Sequence, residues 1–171
     1  MGEVQHDSET PAHGQQVITA CAFIYHVFDG VTKVFLPKRA KTKKFLPDVF
    51  ELVGGHIDFG EDLEVGLKRE IREELNKEVE LEDPFAAFTY LNEVKGSHSV
   101  EIIFLAQFIG GIDDIQTNPE DHSGYEWLSE QEVTERRSEI VPESQVQYSG
   151  EDDPEYLSIL KGFKILSKKV N

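Results

Sequence analysis

Cysteine is nearly missing from this chain: Cys21 is the one thiol in 171 residues. No internal disulfide can form, which is consistent with a reducing, cytoplasmic setting. Positive charge is scarce as well. Lys and Arg number 17 against 33 Asp and Glu, a net charge of −16. Gripping a nucleic acid polymer by its phosphates needs basic surface, so this balance argues against that class, and equally against an anionic membrane surface. A small phosphorylated partner remains compatible, because a bound cation can reverse the local sign. The chain has no apolar run long enough to cross a bilayer and no signal-peptide pattern. No internal repeat is present, and the length fits one domain with a sizeable core.

What the chain does have is a concentrated acidic segment. Its centre reads Arg69-Glu70-Ile71-Arg72-Glu73-Glu74. At about 100° per residue, Leu63, Leu67, Ile71 and Leu75 form an apolar stripe, which predicts a helix from Glu61 to Leu75. Glu70, Glu73 and Glu74 form a second stripe beside it. Like charges so placed repel one another. Arg69 and Arg72 relieve part of the repulsion, and a divalent cation would relieve more. Hard oxygen ligands suit Mg²⁺, or Mn²⁺ in its place. An ordinary solvated acidic face is the competing explanation. In front of the helix, Gly54-Gly55 and Gly60 break the chain where a backbone carbonyl can approach a metal closely.

Around this centre the pattern alternates between strands and turns. Residues 1–16 are polar and read as a disordered tail, with His6 and His13 inert within it. Residues 17–27 read as a buried strand with Cys21 in the core, and residues 31–36 as its hairpin partner beyond Asp29-Gly30. Pro37 ends that strand. Lys38, Arg39, Lys41, Lys43 and Lys44 then form one basic cluster, either a solvated loop or a phosphate contact. Phe50-Glu51-Leu52 reads as a short strand leading into the glycines. Gly66 sits mid-helix at a cost of about 1 kcal/mol relative to Ala, which close packing on the sheet would explain.

Downstream, residues 79–81 and 85–91 read as two strands split by Asp83-Pro84. Residues 100–109 form another strand, and Glu101 near its start is either an extra site carboxylate or a strand-end charge. An acidic loop runs from Gly110-Gly111 through Asp121. Ser129 with Glu132 forms a capping-box pattern. Residues 137–153 read as a loop. Pro154 opens a last helix whose stripe of Tyr156, Ile159, Leu160, Phe163 and Leu166 either docks on the domain or forms a homodimer contact.

Gly55, Glu61, Arg69, Glu70, Ile71, Glu73 and Glu74 match, in register, the pattern Gly-x5-Glu-x7-Arg-Glu-U-x-Glu-Glu-x-Gly-U, where U is bulky and apolar. The segment therefore resembles the Nudix (MutT-like) signature. Asn76 and Lys77 depart from it, standing where the family has Gly and an apolar residue. Asn is the next best residue after Gly for a left-handed helix cap, and Val79 can take the apolar role. His56-Ile57-Asp58-Phe59 resembles a His-x-x-Phe insertion of some nucleotide-hydrolysing members, and residues 120–128 resemble the late Glu-His…Trp segment. The likeness covers most of residues 17–136. It implies an α/β fold, the Nudix α/β/α sandwich with a mixed β-sheet between helices, with residues 17–171 as a single domain.

The resemblance also implies roles. Glu70 and Glu74, one helical turn apart, would share a metal ion completed by the Gly55 carbonyl. Glu73 would reach a second ion or a water. Arg69 would hold a carboxylate in place, with Glu61 behind it. Arg39 and His56 would face substrate, and Glu73 or Glu120 would serve as general base. The implied reaction is Mg²⁺-dependent hydrolysis of a diphosphate linkage in a nucleoside diphosphate derivative, with a (d)NTP giving NMP and pyrophosphate as the leading form. Alternatives are a hydrolase of ADP-ribose or nucleotide sugars, a module that binds a nucleotide without cleaving it, and a relative of isopentenyl-diphosphate isomerase. For the last, Cys21 in a core strand offers no obvious acid–base partner.

Overall fold

The β-branched run after Gln15 becomes the strand about which the sheet is assembled. In the computed structural model, which describes residues 9–141 and 152–169, it forms β1 (Gln16–Phe28). The C-terminal half of β1 pairs antiparallel with β2 (Val31–Arg39), from Tyr25 against Val34 to Phe28 against Val31. Its N-terminal half pairs antiparallel with β3 (Val53–His56), from Thr19 against His56 to Ala22 against Val53. Its other edge pairs parallel with β5 (Ser97–Phe108). Beyond β5 lies β4 (Val79–Asn92), and beyond β2 lies β6 (His122–Ser129). The order is β4-β5-β1-β2-β6, with β3 beside β1, a mixed sheet.

Side chains alternate across a strand, so β1 feeds two cores at once. Ala20, Ala22 and Ile24 face α1 (Leu63–Leu75), meeting Leu67, Ile71 and Leu75. Cys21 and Phe23 face the other side. There they join Val133 of α2 (Glu130–Glu135) and Tyr156, Ile159, Phe163 and Leu166 of α3 (Pro154–Lys169). Helices thus cover both faces, giving an α/β/α sandwich. The apolar stripe of the last helix is occupied by this docking, and Phe163 meets Phe23 edge-on at 5.2 Å. Among the described residues no helix is long and apolar enough to cross a membrane.

Local chemistry explains where the elements differ from expectation. Helix α1 starts at Leu63 because Asp62 caps it, its side chain accepting from the Glu64 and Val65 N–H groups at 3.0 and 3.2 Å. Glu61 therefore stands outside the helix. At the other end Asn76 takes the left-handed conformation, φ 52° and ψ 39°, and its N–H donates to the Arg72 carbonyl. The strands expected at 79–81 and 85–91 are one, β4, because a bulge between Leu81 and Ala86 accommodates Asp83-Pro84. Of residues 50–52 only Phe50 pairs, as a bridge to Lys38, and Pro37 lies inside β2 instead of ending it.

Gly66 is crowded, though not by the sheet. A Cβ there would stand 2.7 Å from both Ile57 Cδ1 and Glu61 Oε2. The tail expected over residues 1–16 is held from Ala12 onward. Ala12 is buried and donates its N–H to the Lys95 carbonyl at 2.8 Å, and Gly14 donates to the Gly96 carbonyl at 3.0 Å. His13 lies against Gly96. His6 is outside the described residues.

Candidate active site

A cavity of about 560 Å³ opens where β1, β3 and the C-terminal half of α1 meet the loops before β3 and β6 and the N-terminus of α3. Arg69 organises its acidic wall. Its Nε and Nη2 donate to the two oxygens of Glu61 at 2.9 and 3.0 Å, and Nη2 also donates to the His56 carbonyl at 3.0 Å. Nη1 donates to Glu70 Oε1 at 2.8 Å and to Glu73 Oε2 at 3.3 Å. One planar guanidinium thus ties the turn before α1 to two carboxylates on it, a fork that a lysine could not reproduce.

Glu70 is buried against β3. A Cβ on Gly55 would fall 2.6 Å from Glu70 Oε2, so glycine is what lets backbone and carboxylate lie this close. Glu74 lies one turn further along the same side of α1, and its Oε2 is buried without a hydrogen-bond partner among the described residues. Burial pushes Glu70 up to about 7 despite the pull of Arg69. Burial, reinforced by the charges of Glu51 and Glu70, pushes Glu74 well above the usual carboxylate range. Glu73 stays 60% exposed at the rim.

This donor set fits a hard divalent cation: two buried carboxylates, an orphaned oxygen and an adjacent glycine backbone. Among the described residues no three Asp, Glu, His or Cys side chains already converge as a closed ligand set. A cation here would be held by Glu70 and Glu74 with the Gly55 carbonyl, Glu73 lying at the edge.

The remaining expected residues fall in varied positions. Arg39 lines the cavity, but its Nη1 donates to both oxygens of Glu51 at 3.0 and 3.1 Å, and its Nε to the Phe45 carbonyl. His122 Nε2 lies 3.1 Å from the same Glu51. Burial raises Glu51, yet Arg39 and His122 together outweigh it and hold this carboxylate below its ordinary value. His56 lines the cavity and is buried, with Nε2 3.4 Å from Lys95 Nζ. Glu120 is exposed and is not part of the lining. Its neighbour Asp121 is, paired to Lys43 at 2.6 Å and held by Asn118 Nδ2 at 2.9 Å.

Asp121, Asn118, Glu51 and His122 are site residues that motif spacing does not reveal. Asn118 donates its N–H to the Glu74 carbonyl at 2.7 Å, so the loop before β6 is bonded directly to the acidic helix. An acidic loop ending against a family-like Trp strand signals proximity, but not which carboxylate turns inward. On β1 and β5, Cys21, Thr19 and Glu101 complete the cavity wall, with Tyr90 of β4, Glu155 of α3 and Phe45 around them.

A model of the NUDIX domain matches residues 18–147. A protein described as a Nudix hydrolase from Deinococcus radiodurans is 31% identical over 108 residues, which is 61% of this chain and 60% of that protein. The chain thus spans less than two thirds of that relative's length. The MutT protein of Methanosarcina mazei Go1 shares the fold with a TM-score of 0.66 at 19% identity, over 94% of this chain and 98% of that one. A C. elegans Ap4A hydrolase shares it with a TM-score of 0.65 at 24% identity, over 90% and 98%.

Proposed function

The chain belongs to the Nudix family, and from that premise we propose that it hydrolyses a diphosphate linkage in a nucleoside diphosphate derivative, a nucleoside triphosphate first among them, with Mg²⁺ or Mn²⁺ as cofactor. The observation that carries this reading is the unpartnered Glu74 Oε2 beside buried Glu70 and Gly55, at the wall of a nucleotide-sized cavity. A divalent cation bound there supplies charge against the diphosphate and makes water more acidic.

The chain's own groups do the rest. Arg69 fixes Glu70 and Glu73 relative to the turn at His56, so the carboxylates do not reorganise when substrate arrives. Lys43 can exchange Asp121 for a phosphate oxygen, which frees the Asp121 carboxylate as a proton acceptor. Glu73, at the rim, is the other candidate base. Water, giving its proton to the base, attacks one phosphorus of the diphosphate in line, and the bridging P–O bond breaks to release the other phosphoryl group, pyrophosphate in the case of a nucleoside triphosphate. A cytoplasmic setting and action on a soluble small molecule fit this reading.

A second reading is a module that binds a nucleotide without cleaving it, which the same cavity with its Phe45 and Tyr90 rings would serve. One assay separates the two. The protein is incubated with Mg²⁺ and a panel of nucleoside triphosphates, nucleotide sugars, ADP-ribose and dinucleoside polyphosphates, and the products are separated by chromatography. Glu74→Gln serves as the control. We expect a nucleoside triphosphate to yield monophosphate and pyrophosphate, with a loss of about a hundredfold or more in the variant. No cleavage, combined with a nucleotide-dependent rise in melting temperature, would transfer the assignment to the binding module.

A further inference from the structure

Two strands over from the glycine turn, the cavity changes character. Thr19 of β1 is in register with His56 of β3 on one side and with Glu101 of β5 on the other. Glu101 therefore lies two interstrand steps from His56, roughly 10 Å along the sheet. That is the scale of a nucleotide from its phosphates to its base.

Glu101 is 6% exposed, lines the cavity, and has no hydrogen-bond partner for its Oε1 among the described residues. Its Oε2 receives a long bond, 3.4 Å, from Thr19 Oγ1, and the Cys21 thiol is a further, weak donor to the carboxylate. That hydroxyl also lies 3.3 Å from the Val100 carbonyl, and its single hydrogen cannot serve both. The neighbouring Glu155 adds acceptors to the same region, with Oε1 taking the Leu52 N–H at 2.6 Å. An unsatisfied buried acceptor among further acceptors calls for a ligand rich in N–H donors. Flat surface is at hand too. The rings of Phe45 and Tyr90 are nearly parallel, 14° apart with centroids at 6.2 Å, and the Arg39 guanidinium lies 5.9 Å from the Phe45 ring. Aromatic faces of this kind stack on any base, and hydrogen bonds at the edge select among bases.

We propose that Glu101 is the base-reading residue of this cavity and that it selects guanine-type nucleotides, whose ring N1–H and exocyclic N2 amino group donate side by side to its carboxylate. Adenine and cytosine present an amino group next to an acceptor nitrogen, and uracil presents one N–H between two carbonyl oxygens. Each would set a lone pair against the carboxylate. Burial, opposed by the Cys21 thiol and assisted by Glu51, holds Glu101 up at about 7, so N–H donors would stabilise its charged form. The polyphosphate end of the ligand rests on the hydrolase reading above, while the base contact requires no catalysis.

Guanine and hypoxanthine differ only by the N2 amino group, so they isolate the contact. Two ratios are measured on the full chain: kcat/KM for GTP against ITP with Mg²⁺, and the dissociation constants of GMP against IMP by calorimetry. We expect GTP and GMP to be favoured about tenfold, the discrimination of one bidentate pair. In Glu101→Gln, a near-isosteric change whose melting temperature is checked in parallel, one amide can accept only one of the two donors, and both ratios fall below about threefold. Equal use of GTP and ITP by the wild-type protein overturns the proposal, and so does preference for ATP. A ratio that persists in the variant does so as well, since Glu101 would then act elsewhere. If no triphosphate is cleaved but GMP exceeds IMP in a Glu101-dependent way, the hydrolase reading fails and the base assignment stands. If GMP does not bind at millimolar concentration, the base assignment fails.

Discussion

Replacing Glu70 by Gln should stabilise the metal-free protein, and increasingly so as pH rises through the window between the ordinary carboxylate value and the raised native one. Glu70 is buried beside β3, with Arg69 as its nearest cation at 2.8 Å. Burial outweighs Arg69 and raises the group from its ordinary value of 4.5 to about 7. A carboxyl that holds its proton more tightly when folded gives up stability as pH rises from about 4.5 to about 7, and does not regain it above. The full displacement corresponds to roughly 3 kcal/mol. Most of that cost is absent at pH 5 and nearly all is present at pH 8. Gln keeps the shape and an acceptor for Arg69 but carries no charge. The stability difference between variant and wild type should therefore grow by roughly 2–3 kcal/mol between the two pH values, or about 5–10 °C in melting temperature for a chain of this size. Scanning calorimetry in the presence of chelator measures it, and the comparison of variant with wild type cancels the other titrating groups. Adding Mg²⁺ at pH 8 should then raise the wild-type melting temperature far more than the variant's. A difference that is the same at pH 5 and pH 8 would refute the claim that burial of Glu70 outweighs its pairing with Arg69.

Further outcomes follow from single contacts. Gly66→Ala gains about 1 kcal/mol of helix propensity, but its Cβ meets Ile57 and Glu61 at 2.7 Å, an overpacking cost of about 1–3 kcal/mol. Its melting temperature should fall or stay level, and a rise equivalent to about 1 kcal/mol would contradict the packing described. Arg69→Lys cannot keep both bonds to Glu61 while reaching Glu70, so kcat/KM should drop about 10- to 100-fold. Unchanged kinetics would remove Arg69 from its positioning role. Phe163→Ala deletes a ring that is 4% exposed and packed edge-on against Phe23, and should cost about 3–5 kcal/mol in urea unfolding. A loss below about 1 kcal/mol would mean that α3 is not docked on the sheet.

The helical period of Leu63, Leu67, Ile71 and Leu75 made α1 legible, because apolar spacing reports directly which face meets the sheet. The same holds for α3 and for the Ser129–Glu132 box, where both reciprocal bonds form. Element ends were harder to read. Asp62 rather than Glu61 caps α1, since either acidic residue suits the first turn and the choice depends on how Glu61 reaches Arg69. Glu70, Glu73 and Glu74 share one helix, so their proximity could be read from spacing alone. Glu51, Asp121 and His122 could not be found that way. Their convergence depends on register between β2 and β6, on the bulge at Lys38 and Arg39, and on the loop turning Asp121 inward and Glu120 outward. Arg39 illustrates the limit: its place in the cavity was foreseeable, its bidentate engagement with Glu51 was not.

The three-way partnership of β1 has a consequence for the time at which the site comes into being. Thr19 must find Glu101 across 82 intervening steps of chain, whereas β1 and β2 meet through a tight hairpin. During synthesis the hairpin, the glycine turn and the acidic helix all emerge before β5 exists. Glu70, Glu73 and Glu74 can then gather early, while the wall that holds Glu101 has to wait for a long loop to close. Helix α3, which brings Glu155 to the cavity and seals the second core, arrives last. A nascent chain stalled before β5 would expose the apolar edge of β1, and so a slow codon or a pause there marks the stretch of synthesis in which this protein is most open to aggregation.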